Sequence, residues 1–148
     1  MAPIRRHLGI SLLITLALLS TACPSSNDLD RMSNASNELA HDALTANRVV
    51  AEFYAAGKMS LAAKDKAADL IGRIREKGMA FNNTLIELDK KYQQGTVPPD
   101  TLQVLRDNFA EISGLVRELA QGLAPFGARA ATKDLNKHVD TIEEVLAK

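Results

Sequence analysis

Along most of this chain the apolar residues return at alternating steps of three and four, the spacing that keeps them on one face of an α-helix. From Leu29 the series is Leu29, Met32, Ser36, Leu39, Ala43, Ala46, Val50 and Phe53, after which Gly57 supplies a helix stop and Ser60 an N-cap for the next segment. A second series runs Ala67, Ile71, Ile74, Gly78, Phe81, Leu85, Leu88 and Tyr92, closed by Gly95 and the reset "VPPD". Asp100 with Gln103 has the spacing of a capping box with Asp at the cap. The third series is the cleanest: Leu102, Leu105, Phe109, Ile112, Val116, Leu119 and Leu123, broken by Pro125 and Gly127 in "APFG". A fourth comprises Leu135, Val139, Ile142 and Leu146, with Thr132 as its cap. No stretch alternates with period two for long enough to predict a strand.

Turns this short oblige successive helices to pack antiparallel. The pattern therefore predicts an all-α, up-down-up-down bundle of four helices over residues 28–148. The expected lengths are unequal, about 28, 34, 23 and 17 residues. Helix 2 is long enough to project past helix 4, which would leave Leu85, Ile86 and Leu88 for a partner to cover, or to bend near Gly72 or Gly78. An alanine-rich seam on helix 1 lets backbones approach closely, and an ordinary monomer accommodates both features.

The pattern changes ahead of Leu29. Arg5, Arg6 and His7 form a short positive start, and Leu8 to Leu19, "LGISLLITLALL", carries no charge. Ser20, Thr21 and Ala22 then lead to Cys23, the only cysteine. An apolar run of about 12 residues makes roughly 18 Å of helix, too short for a ~30 Å hydrocarbon core, so residues 1–22 read as a signal peptide.

Small residues followed directly by cysteine resemble the lipobox of bacterial lipoproteins. That resemblance covers residues 1–23. It implies a diacylglycerol on the Cys23 thiol, cleavage before Cys23 and acylation of the new amine. The family usually has Leu three places before the cysteine; Ser20 stands there in this chain, with Leu19 one place further back. The same "STA" would also suit an ordinary signal peptidase, leaving a soluble protein with a free thiol. About three acyl chains exceed the two-signal threshold for stable anchoring. Residues 24–27, "PSSN", would be the whole tether beyond Cys23, reaching at most about 14 Å. Pro24 occupies the position where inner-membrane retention usually needs Asp, which points to the outer membrane, facing the periplasm.

From Cys23 onward, 126 residues suffice for one domain. They hold all 18 acidic residues and 16 of the 18 basic ones, a net charge of −2. The charges are interspersed. The best basic cluster, Arg73, Arg75 and Lys77, splits across different directions of a helix, so nucleic acid is not expected as a partner. Without tryptophan, and with six Phe and Tyr residues, the chain offers no stacking platform for bases or sugars. With no second cysteine it has no internal disulfide, and its stability must come from packing.

Catalytic and cofactor chemistry finds little footing. Glu38 and His41 have the Glu-x-x-His spacing of di-iron bundles, but no second such pair exists and both point away from the seam. Met32 with His138 suggests the Met/His haem ligation of small four-helix cytochromes, yet Cys-x-x-Cys-His is absent and Met32 fits the seam. No G-x-S-x-G elbow or phosphate-cradling glycine loop appears, and Glu143–Glu144 reads as a solvated face. The pairs Asp69–Arg73, Glu87–Lys91 and Glu144–Lys148 have the favourable spacing for surface support. Neither enzyme activity nor a cofactor is expected. The leading expectation is a membrane-anchored lipoprotein with a structural or protein-interaction role in the cell envelope, beside an envelope protein partner. The alternative is a carrier holding a lipid or other small apolar ligand within the bundle.

Overall fold

The computed structural model describes residues 24–148, and Cys23 with the segment before it lies outside the described residues. Four α-helices follow one another: α1 (Ser26–Ala55), α2 (Leu61–Gln93), α3 (Thr101–Leu123) and α4 (Ala130–Leu146). A single 3-10 turn, Ala124–Phe126, joins α3 to α4. No described helix is long and apolar enough to cross a membrane.

Each helix packs on the next, and α4 closes against α1, so the four make a ring. Contacts across each pair run in opposite senses. Ser33 meets Asn82 and Ser36 meets Gly78 between α1 and α2. Lys66–Glu118 and Lys77–Glu111 link α2 to α3, while Arg106 reaches Leu146 and Arg117 reaches Glu143 between α3 and α4. Arg31–Glu144 and Asp42–His138 close α1 on α4. In every pair a higher number on one helix faces a lower number on the other. The expected antiparallel, up-down-up-down bundle of four helices is what the chain forms.

Its core is built on the seam read from the sequence and widened by Ala35, Met59, Leu70, Leu115, Ala128 and Val145, with seam residues Phe53 and Leu102 only partly buried at its edge. Met32, Leu39, Ile74, Leu85, Leu105, Ile112, Leu119, Leu135 and Ile142 are almost wholly buried, and Val50, Val116 and Leu123 complete the filling. Burying a side chain of this size is worth about 1.5–3 kcal/mol relative to leaving it exposed. In a chain without disulfides this burial is the principal stabilising term. Leu85 and Leu88 are buried too, so of the three apolar residues expected on an overhang only Ile86 is exposed. Tyr92 departs from the seam. It is 40% exposed, because the α1–α2 register carries the last turn of α2 beyond the start of α1.

Turn chemistry explains most boundaries. Gly57 and Gly95 adopt φ of +67° and +69° just beyond α1 and α2, where a side chain would be strained. Ser60 caps α2 by accepting from the Ala63 N–H at 3.2 Å. Two expected caps do not form. Asp100 has φ −93° and ψ 4°, outside the extended geometry of a cap, and makes no capping bond; Gln103 donates to Asp107 instead. Thr132 lies inside α4, buried, its hydroxyl donating to the Arg129 carbonyl, because the helix already starts at Ala130.

Candidate functional site

The start of α1, the close of α2, the 94–100 loop, the start of α3 and the close of α4 gather at one end of the bundle, the end that Cys23 precedes. Ser25 and Asp28 fix the beginning of α1. The Asp28 N–H donates to Ser25 Oγ at 3.2 Å, and the Ser25 N–H and Oγ donate to Asp28 Oδ2 at 3.3 and 2.8 Å. This capping box satisfies two helix-end donors reciprocally. It also takes in two residues expected in a tether. Ser26 and Asn27 belong to the helix, so only Pro24 and Ser25 separate Cys23 from it.

Asp28 ties this end to the far end of the sequence. Lys148 Nζ donates to Asp28 Oδ1 at 2.8 Å. That bond, followed by the one from Ser25, holds the Asp28 carboxyl down from 3.8 to about 2. Arg31 lies 3.5 Å from Glu144 one turn further along. Lys148 and Glu144 therefore serve the α1–α4 seam and not the helix-surface pair that their spacing suggested. Glu143 is likewise recruited. It accepts from the buried Ser113 hydroxyl at 2.6 Å and from Arg117 at 2.8 Å, so it is no simple solvated carboxylate.

The same end carries the largest of the described clefts, about 170 Å³, between α2 and α3. Thr84, Leu88, Lys91, Pro98, Thr101 and Val104 line it. Clefts of about 150 and 80 Å³ lie further along the same α2–α3 groove, and one of about 100 Å³ lies between α1 and α2. Pockets for small molecules generally measure about 300–1,000 Å³. The interior is occupied by side chains, and no buried side-chain nitrogen or oxygen among the described residues lacks a partner.

The residues weighed for metal chemistry are not brought together. Glu38 and His41 are exposed on α1, as their place off the seam implied. Met32 is fully buried in the core. His138 turns to Asp42, with Nε2 3.1 Å from Oδ2, and His41 Nδ1 lies 3.6 Å from the other Asp42 oxygen. The sequence reading missed Asp42. Its signal was present: Asp42 precedes seam residue Ala43 as His138 precedes seam residue Val139, which places both on the edge where α1 meets α4. Among the described residues no group of three His, Cys, Asp or Glu is placed to hold a metal ion. Arg73, Arg75 and Lys77 are exposed, and Lys77 pairs with Glu111 at 2.9 Å.

No protein family, curated protein or solved structure matches this chain.

Proposed function

We propose that this protein is a lipid-anchored bacterial lipoprotein whose four-helix bundle has a structural or protein-interaction role in the cell envelope, without catalysis of its own. The observation that carries the reading is the order of residues 5–23: positive start, uncharged run, three small residues, sole cysteine. The capped start of α1 supports it, since a helix that begins three residues after Cys23 keeps the bundle beside the membrane that would hold the lipid. Pro24 favours the outer membrane, with the bundle facing the periplasm.

A filled core and small clefts favour an interaction role over the carrier role, because a carrier needs room for its ligand. The partner expected is an envelope protein bound at a helix face. Crosslinking in living host cells, followed by native mass spectrometry of the detergent extract, tests this. The expected result is one envelope protein captured in stoichiometric yield. Capture of only lipids and abundant porins would contradict the interaction role, and a bound small-molecule mass would favour the carrier.

A further inference from the structure

We propose that the bundle stands end-on to the bilayer, with the close of α2 and the 94–100 loop resting on the phospholipid surface beside the start of α1. This rests on the acylation of Cys23 proposed above. Three residue steps separate Cys23 from Ser26, a reach of at most about 11 Å. Beyond Ser26 nothing is slack. The capping box fixes the first turn, and Asp28–Lys148 and Arg31–Glu144 fasten it to α4. A bundle held this closely by one end cannot lift that end far from the lipid.

The surface presented there suits the boundary between headgroups and water. Tyr92 projects past the start of α1, and amphipathic aromatic rings settle at headgroup level. Lys90 and Lys91 precede it, and neither forms an ion pair among the described residues, so both are free to meet lipid phosphates. The adjoining stretch from Gly95 to Pro99, "GTVPP", carries no charge to desolvate. Two acids at this end are already matched, Asp28 by Lys148 and Glu144 by Arg31. Asp30 lies on α1, Asp100 in the loop, and Glu87 and Asp89 beside the two lysines on α2, so this end has no net positive face and Lys90 and Lys91 meet the phosphates individually. Tyr54, near the other end of α1, would then stand about 42 Å from the start of that helix, well clear of the lipid.

The chain contains no tryptophan, so single reporters are clean. Y92W and Y54W, both at exposed positions, would be purified from host membranes and reconstituted into vesicles of phosphatidylethanolamine and phosphatidylglycerol. The vesicle lipids would be brominated near the headgroup end of their acyl chains, and the mass at Cys23 would be checked for each preparation. The expected result is strong quenching and a blue shift at position 92, with no quenching at position 54. Adding K90E and K91E should weaken the quenching at 92 while circular dichroism stays unchanged. Acylated protein that floats with the vesicles but is unquenched at 92, or is quenched equally at both positions, would overturn the end-on placement alone. An unmodified thiol at Cys23 would overturn the anchor and this placement with it.

Discussion

Ser36 Oγ donates to the Gly78 carbonyl at 2.8 Å across the α1–α2 seam, and the bond is possible because Gly78 has no side chain to hold the helices apart. A Cβ built on Gly78 would lie 3.2 Å from Leu39 Cδ2 and 3.9 Å from the Ser36 carbonyl oxygen. Leu39 is buried and packed, so it yields only by disturbing its neighbours. At Gly72 the same Cβ would meet nothing within 4 Å.

The two glycines should therefore respond oppositely to alanine. Gly72→Ala gains helix propensity, about 0.5–1 kcal/mol, without a steric cost. Gly78→Ala gains the same propensity but loses it to overpacking, which typically costs about 1–3 kcal/mol. Urea denaturation of both variants checks the difference. Equal stabilisation at both positions would contradict the close approach.

Phe109 and Phe81 meet with ring centroids 5.4 Å apart at 48° between α3 and α2. Both are buried, so Phe109→Ala should cost about 3–5 kcal/mol. His41→Ala, at an exposed position, should stay within about 0.5 kcal/mol. A larger loss at His41 than at Phe109, in the same denaturation measurement, would contradict the core assignment.

Asp42 links α1 to α4 through His138 and should matter more than Glu38, which is exposed on the same helix. Asp42→Ala should cost about 1 kcal/mol, the usual net value of a hydrogen bond. Glu38→Ala should cost about 0.5 kcal/mol or less. The contrast is read from thermal unfolding of the two variants side by side.

Asp28 makes stability depend on pH in an acid window. Its carboxyl is held near 2 in the folded chain by Lys148 and Ser25, against 3.8 ordinarily. Between those values the unfolded chain binds more protons, so stability rises with pH. The contribution is present above about pH 4 and is lost as pH falls through about 2. Asp28→Asn should flatten the stability profile between about pH 4 and 2, and leave its shape near neutrality unchanged. Added salt should shrink the effect at this surface position. An unaltered acid slope in the variant would contradict the Lys148 pairing.

The helices were legible because each buries a seam with one strict period and ends at a turn residue. Leu105, Phe109, Ile112, Val116 and Leu119 all face inward as counted. What the count could not supply is register between helices. Register decides that Leu88 is covered while Tyr92 is not, and that Lys148 finds Asp28 across the bundle and not Glu144 along its own helix. The cap expected at Asp100 failed for a related reason, while that at Ser60 formed. The turn at Pro98–Thr101, where the Thr101 hydroxyl donates to the Pro98 carbonyl, sets the backbone of Asp100 before its side chain can choose a partner. Cys23 lies outside the described residues, so the proposed anchor rests on sequence order, while the capped helix beginning at Ser26 belongs to the fold.

The most direct test is the intact mass of the protein extracted from its host membrane in mild detergent. The expected chain begins at Cys23 and carries the added mass of a diacylglycerol and one further acyl chain. A chain beginning there with an unmodified cysteine, or cleaved elsewhere, would contradict the membrane anchor on which the proposed role depends.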